Sequence, residues 1–121
     1  METIIILSGG FDPVHKGHIR MFKFAKNIGD VIVGLNSDEW LIRKKNKFFM
    51  PFPERKEILE SIKYINSVVK FNDTDDTACN LISSIYKTLG TDYHICFGNG
   101  GDRTNETTPE VAYCIKNNIE M

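Results

Sequence analysis

Runs of apolar residues alternate with amphipathic segments along the whole chain. Four short runs, at residues 4–7, 31–35, 68–71 and 93–97, are rich in Ile, Val, Leu and aromatic residues. Short runs that are apolar on both faces favour parallel strands covered by helices. The alternation therefore predicts an α/β fold, a Rossmann-like three-layer sandwich with a parallel sheet, right-handed crossovers and helices on both faces.

Between the predicted strands, apolar residues recur at helical spacing. The residues predicted to face inward are Met21, Phe22, Ala25 and Ile28 in the first helix, Ile58, Leu59, Ile62 and Ile65 in the next, Leu81, Ile82, Ile85 and Leu89 in the third, and Val111, Ala112 and Ile115 in the last. Gly29 is placed to end the first helix in the left-handed conformation, and Pro53 favours a helix start. Residues 36–39 predict a helix cap and a short turn through residue 42, and residues 43–47 a basic loop.

In open parallel sheets, ligands bind beyond the carboxyl ends of the strands. Here those ends are residues 8–18, 36–47, 72–77 and 98–108, which are rich in Gly, His, Asn, Asp and Lys. The pattern predicts a binding site along this edge, which we call the carboxyl rim.

The strongest chemical signal lies in residues 8–18, between the first strand and the first helix. Gly9 and Gly10 would let the backbone approach a phosphate closely and adopt conformations closed to other residues. The following helix offers unpaired amide hydrogens and the positive end of its dipole. His15 and His18, with Gly17 between them, would lie on one side of the first turn. A core role would explain His18 alone, and a plain tight turn would explain Gly9 and Gly10 alone. A phosphate site explains the glycines, both histidines and the helix start together.

Composition limits the partners and the compartment. The 121 residues fit one domain, 1–121, and a net charge of −1 gives no bulk attraction to nucleic acid or to a membrane surface. We expect a protein without a signal peptide or a membrane-spanning segment. The widely spaced Cys79, Cys96 and Cys114 are interpreted as small buried side chains of a reducing compartment, so the predicted location is cytoplasmic.

The segment His15-Lys16-Gly17-His18 matches the His-x-Gly-His signature of the cytidylyltransferase-like nucleotidyltransferases, and Gly10-Phe11-Asp12 is their usual lead-in. Residues 36–40 resemble glycerol-3-phosphate cytidylyltransferases and bacterial heptose-phosphate adenylyltransferases. Residues 54–59 resemble the family's Arg-containing helix start. Residues 71–75 and 100–102 are similar to heptose-phosphate adenylyltransferases. The resemblance covers nearly the whole chain.

The resemblance implies transfer of CMP or AMP from CTP or ATP to a small phosphorylated sugar or polyol, with release of pyrophosphate. CTP is slightly favoured. It also implies Mg²⁺ held mainly by the triphosphate, and a homodimer is a further expectation. The implied catalytic residues are His15, His18, Lys44 and Arg55. The implied nucleotide-binding residues are Gly9, Gly10, Phe11, Asp12, Gly17, Asn36, Asp38, Gly100, Gly101 and Asp102, and the implied substrate contacts are Lys47, Arg103 and Asn105.

The chain departs from the family pattern at two places. A second family lysine aligns with Asn46, so Lys45 or Lys47 would have to replace it. The family's later Ser/Thr-rich phosphate motif has no counterpart, and the expected fifth strand would begin where the chain ends. A catalytically weak nucleotide-binding or regulatory module is therefore the alternative function. A dinucleotide-dependent oxidoreductase is disfavoured because Gly-x-Gly-x-x-Gly is absent.

Several other residues have both a structural and a functional interpretation. Residues 48–52 could form a lid, a subunit contact or packing beneath a loop. Core packing is favoured for Trp40 over stacking on a base, and a structural role for His94. The acidic residues 73, 75 and 76 favour a solvated turn over a metal site.

Overall fold

The computed structural model describes residues 2–90 and 92–99. The elements are β1 (Glu2–Gly9), α1 (Lys16–Ile28), β2 (Asp30–Leu35), α2 (Asp38–Lys45), α3 (Phe52–Glu60), β3 (Ser67–Lys70), α4 (Cys79–Leu89) and β4 (Tyr93–Asn99). The strands form one sheet in the order β3-β2-β1-β4, and every neighbouring pair is parallel. The predicted last helix lies outside the described residues.

Both faces of the sheet are covered by helices, which explains why residues 4–7 are all apolar. On one face, Phe22 and Ala25 of α1 and Leu59 of α3 pack against strand residues that include Ile5 and Leu7. On the other face, α4 packs against alternate strand residues; this cluster contains Ile4, Ile6, Leu81, Ile82, Ile85, Ile95 and Phe97. Successive side chains of a strand point to opposite faces, so two covered faces require a continuous apolar run. The predicted three-layer sandwich is confirmed.

The basic segment 43–47 is not wholly a loop, because α2 extends to Lys45. Ser37 caps this helix, its Oγ accepting a hydrogen bond from the backbone N–H of Trp40 at 3.1 Å. Acidic residues occupy the first turn and basic residues the last, as the helix dipole favours. The helix ends at Asn46, whose φ of 68° lies in the left-handed region.

Three details of the helix predictions are wrong. Ile28 is 53% exposed and Ile58 is 39% exposed, so neither faces inward. Because α3 ends at Glu60, Ile62 and Ile65 lie beyond the helix, although both pack against the core. Gly29 is extended rather than left-handed, with φ −174°. Its Cβ would lie 2.3 Å from the Thr3 carbonyl oxygen, so the glycine permits close approach to β1.

Gly34 allows α4 to pack closely on the sheet, and alanine there is expected to destabilise the fold by about 1–3 kcal/mol through overpacking. A Cβ at this position of β2 would lie 2.2 Å from Cδ2 of Leu81. Unfolding in urea would measure the loss. In the double variant Gly34→Ala/Leu81→Ala, the new methyl group has room, so the combined loss should be smaller than the sum of the single losses. Strictly additive losses would contradict this explanation.

Candidate functional site

Residues 15–18, which we call the histidine turn, begin α1 at the carboxyl end of β1. His15 is the N-cap of the helix, and its Nδ1 accepts a hydrogen bond from the backbone N–H of Gly17 at 3.0 Å. The backbone N–H of His15 donates in turn to Nδ1 of His18 at 3.1 Å. This arrangement is a reciprocal capping box built from two imidazoles. Both rings are therefore fixed relative to the start of the helix.

The two imidazole rings form one surface. Their centroids are 3.8 Å apart with an angle of 28° between the planes. His18 also lies edge-on to Phe11, at 5.0 Å between centroids. A Cβ on Gly17 would lie 2.9 Å from Cε1 of His15, so glycine at this position leaves space for the ring. The structure thus places both histidines on one side of the first turn.

His18 is half-buried, whereas His15 is exposed. Burial lowers the pKa of His18 below its ordinary value, and the charges of His15 and Lys45 lower this pKa further. The lowered pKa favours the neutral form of His18, and a neutral imidazole has one hydrogen-bond donor.

The glycines of the loop before the histidine turn allow close packing. Among residues 2–90 and 92–99 no glycine has a positive φ, and the left-handed residue of this loop is Phe11, at φ 48°. The predicted unusual conformations of Gly9 and Gly10 are therefore wrong. A Cβ on Gly10 would lie 2.7 Å from Cδ2 of Leu41, and one on Gly9 3.1 Å from the Phe11 ring. Glycine at position 10 lets α2 pack directly on the loop.

Asp12 fastens the segment 46–51 to the loop after β1. Its carboxylate accepts hydrogen bonds from the backbone N–H of Phe49 at 2.6 Å and of Met50 at 2.8 Å. Met50 is buried while Phe49 is 78% exposed, so the segment is anchored by one side chain and presents the next to solvent. Asp12 therefore has a positioning role that its sequence position did not reveal.

Arg55 is buried and holds three segments together. Its Nε donates to the carbonyl oxygen of Met50 at 2.9 Å, and its Nη1 donates to those of Gly10 at 2.9 Å and Asn36 at 2.8 Å. Its Nη2 donates to Oδ1 of Asp38 at 2.6 Å. Four of the five guanidinium N–H groups are thereby used, and the side chain has 0% exposure. These contacts contradict a direct phosphate contact for Arg55 and give Asp38 the role of its ion-pair partner.

A second buried polar cluster fixes the end of β2. The carboxylate of Asp73 is buried and accepts hydrogen bonds from Nδ2 of Asn36 at 3.0 Å and from both N and Oγ of Ser37 at 2.8 Å. The carbonyl oxygen of Asp73 accepts a bond from Nη2 of Arg43, whose Nε pairs with Asp76. The prediction of a solvated acidic turn is therefore wrong for Asp73. Asn36 is likewise buried and serves this cluster.

The three lysines at the end of α2 and just after it have different surroundings. Nζ of Lys44 lies 5.8 Å from the centroid of the half-buried Trp40 ring. Lys45 lies near enough to the histidine turn for its charge to lower the pKa of His18. Lys47 is exposed in the segment 46–51. The other predicted contacts lie outside the described residues; they are Gly100, Gly101, Asp102, Arg103 and Asn105.

Across residues 2–90 and 92–99, no group of three or more His, Cys, Asp and Glu side chains is arranged to hold a metal ion. In the same part of the chain, no helix combines the length and apolar character that crossing a membrane requires.

Comparison with known proteins agrees with the predicted resemblance. A glycerol-3-phosphate cytidylyltransferase of Bacillus spizizenii is 42% identical over 66 residues, which are 54% of this chain and 51% of that protein. The bifunctional protein HldE of Syntrophotalea carbinolica is 36% identical over 109 residues, 88% of this chain and 20% of that protein. An FAD synthase of Archaeoglobus fulgidus is 35% identical over 69 residues, 57% of this chain and 50% of that protein. The chain thus matches about half of two of these relatives and a fifth of the third.

The fold is shared with a solved structure, a lipopolysaccharide core biosynthesis protein from Thermoplasma volcanium. The TM-score is 0.69 over 100% of this chain and 93% of that one, at 18% sequence identity. The sequence model described as cytidylyltransferase-like matches residues 6–117. The predicted resemblance is therefore confirmed, and the chain belongs to the cytidylyltransferase-like family.

Proposed function

We propose that this chain is a nucleotidyltransferase that transfers CMP or AMP from a nucleoside triphosphate to the phosphate of a small sugar or polyol. The observation that carries the proposal is the histidine turn, in which two adjacent imidazoles lie at the start of α1 beside the end of β1. A helix start with two further donors suits the triphosphate, because amide hydrogens and the helix dipole both favour anions there.

In the proposed reaction, an oxygen of the acceptor phosphate attacks the α-phosphorus in line. The bond between the α-phosphorus and its bridging oxygen to the β-phosphorus breaks, and pyrophosphate leaves with that bond's electron pair. Nucleotidyl transfer of this kind needs positioning and charge stabilisation more than a covalent nucleophile. His15 and His18 would donate hydrogen bonds to the oxygens on which negative charge develops.

The remaining residues of the site would divide between contact and positioning. Lys44, Lys45 and Lys47 are proposed to supply positive charge toward the phosphates from the end of α2 and the segment that follows. Asp12 holds that segment beside the loop after β1. Arg55 and Asp38 fix the loop and the start of α2.

Mg²⁺ is proposed to bind through the triphosphate oxygens. Three carboxylates in the described part of the rim are already used: Asp12 accepts two backbone hydrogen bonds, Asp38 pairs with Arg55, and Asp73 is bonded to Asn36 and Ser37. These residues therefore fit an ion that keeps nucleotide and water oxygens as most of its ligands, which is how Mg²⁺ usually binds at such sites. The ion would neutralise charge on the departing pyrophosphate.

Pyrophosphate release tests this function directly. CTP, ATP, GTP and UTP would each be combined with Mg²⁺ and with glycerol 3-phosphate, heptose phosphates or flavin mononucleotide, acceptors suggested by the matched relatives and by the family resemblance. Acceptor-dependent release with CTP or ATP is expected. Nucleotide binding, seen as a rise in melting temperature, without release from any pair would contradict the proposal and favour a binding module. A ligand at 100 times its Kd adds about 2.7 kcal/mol of stability, so binding is easily detected.

Lys45→Ala is expected to reduce kcat/KM about 10-fold or more, since a charged donor to phosphate is worth about 1.5–3 kcal/mol. The same substitution should raise the pKa of His18, because the lysine charge lowers it. Lys23→Ala, which removes an exposed lysine from α1, is the matched control and should change neither value. Steady-state kinetics and an NMR titration of the histidines measure both effects. Equal kinetics for the two variants would remove Lys45 from the proposed site.

A further inference from the structure

The cations of α2 project from different flanks of the helix. An α-helix turns by about 100° per residue, so Arg43 and Lys45 project about 200° apart. Leu41 lies one turn before Lys45 on nearly the same flank. Leu41 is buried, and its Cδ2 would lie 2.7 Å from a Cβ on Gly10, in the loop after β1. Lys45 therefore projects on the side of that loop, and Arg43 projects away from it.

The contacts of Arg43 lie on the flank that this geometry indicates. Its Nη2 donates to the carbonyl oxygen of Asp73 at 2.8 Å, and its Nε donates to Oδ1 of Asp76 at 2.8 Å. Both acceptors belong to residues 72–77, which follow β3 and which we call the acidic turn. The guanidinium group of Arg43 is thus held at two nitrogens by the protein itself.

The acidic turn also holds the start of α2. The carboxylate of Asp73, which is 3% exposed, accepts bonds from N and Oγ of Ser37, both at 2.8 Å. The same Oγ accepts the bond from the backbone N–H of Trp40 that caps the helix. Ser37 and Arg43 are six residues apart, which is about 9 Å along the helix. The acidic turn therefore fastens α2 at two separate points.

This attachment matters because the apolar packing of α2 is slight. Leu41 is its one buried residue, and a single buried side chain leaves a helix free to rotate about that contact. Lys45 lies in the last turn, far from the cap at Ser37, so rotation of the helix would displace its Nζ. The attraction between a lysine and a phosphate falls with distance, and small misplacements of a positioned group are costly in turnover.

We propose that Arg43 and Asp73 are positioning residues for nucleotidyl transfer, which fasten α2 to the acidic turn and so hold Lys45 beside the histidine turn. The attachment at two points is a property of the free protein. Its effect on turnover rests on the function proposed above.

A double-mutant cycle separates positioning from direct phosphate contact. Arg43→Met keeps an unbranched side chain but has no hydrogen-bond donor, and it should lower kcat/KM by up to the about 10-fold expected for Lys45→Ala. Because Arg43 acts through Lys45, the double variant should be little worse than Lys45→Ala alone. Arg20→Met, the same substitution at an exposed position of α1, is the control and should stay within about twofold of the unmodified protein. Losses that multiply in the double variant would overturn the proposal.

The partner of Arg43 in the acidic turn provides a test in which the two roles predict opposite signs. Asp76→Gly removes the carboxylate and suits the backbone there, where φ is 61°. If Arg43 bound phosphate, releasing it from Asp76 would maintain or raise kcat/KM. Positioning predicts a decrease. Asp75→Gly controls for a more flexible turn, because the Asp75 carboxylate bonds to Thr77 within that turn, and it should have the smaller effect. A value for Asp76→Gly at or above that of the unmodified protein would contradict the proposed role.

An NMR titration of the histidines tests the attachment without any activity measurement. The charges that lower the pKa of His18 are those of His15 and Lys45, so a rise of this pKa in Arg43→Met reports the movement of Lys45. We expect a rise in the same direction as in Lys45→Ala. Urea unfolding should confirm that Arg43→Met is folded; Asp73 is buried, so its own substitution would also destabilise the fold. A pKa that rises in Lys45→Ala but not in Arg43→Met would refute the positioning of Lys45. If the pKa rises in both variants but pyrophosphate is never released, the proposed function alone has failed.

Discussion

Replacement of His18 by alanine is expected to lower kcat for nucleotidyl transfer by about 100- to 1,000-fold, equivalent to roughly 2.7–4 kcal/mol of transition-state stabilisation. The ring is held by the His15 N–H and by the edge of Phe11, so its orientation is already fixed before the substrates bind. A donor that is stronger toward the transition state than toward the ground state changes kcat and kcat/KM together. Steady-state pyrophosphate release would show this as an unchanged KM for the nucleotide.

The control for this prediction is His94→Ala. His94 lies in β4 opposite Thr3 of β1, at the end of the sheet away from the carboxyl rim, and its side chain is exposed. Its removal should leave kcat within about twofold of the unmodified value, as expected for a surface position away from the site. Near-full turnover by His18→Ala, with nucleotide binding intact, would rule out the histidine turn as the source of catalysis.

The parts of the fold that could be predicted from the sequence are those in which one local pattern decides the outcome. Residues 4–7 are apolar at every position because α1 and α3 cover one face of the sheet and α4 covers the other. The histidine turn is equally local, because a spacing of three residues at a helix start brings two side chains to the same side. In both cases the prediction depends on the pattern of a few residues that are close together in the sequence.

The start of α2 was predicted, but its length was underestimated because the stability of this helix does not come from an apolar face. Leu41 is its one buried residue, so the hydrophobic pattern indicates only a short turn. The helix depends instead on the cap at Ser37 and on the order of charges along its length. The cap and the order of charges are weak local signals, each worth about 0.3–1 kcal/mol. A basic loop can contain the same residues, so these signals do not distinguish a helix from a loop.

The buried charges were missed for a different reason. Arg55 bonds to a carbonyl oxygen 45 residues earlier, at Gly10, and Asp73 bonds to an amide 37 residues earlier, at Asn36. Backbone carbonyls have no signature in the sequence, so the partners of a buried arginine cannot be identified by residue type. A positive residue near a predicted phosphate site is naturally assigned to the phosphate. Three-dimensional contacts assign Arg55 to the scaffold that holds the loop after β1.

Arg55→Ala is therefore expected to lower the free energy of unfolding by about 3–5 kcal/mol, the usual cost of removing one partner from a buried ion pair. The substitution leaves the partly buried Asp38 carboxylate and three carbonyl oxygens without the guanidinium. A domain of this size has about 5–15 kcal/mol in total, so a large share of its stability would be lost. Urea unfolding followed by circular dichroism measures the change.

The neighbouring Lys56→Ala is the matched control. Lys56 pairs with Glu60 on the surface of the same helix, with side-chain exposures of 38% and 49%, and such pairs contribute about 0.3–0.5 kcal/mol. Arg55→Lys distinguishes geometry from charge, because an ammonium group cannot reproduce the fork that reaches Gly10, Asn36, Met50 and Asp38 at once. It should recover little of the lost stability. If Arg55→Ala unfolds at the same urea concentration as Lys56→Ala and loses only turnover, then Arg55 acts on the substrate after all, and the loop after β1 is held by other contacts.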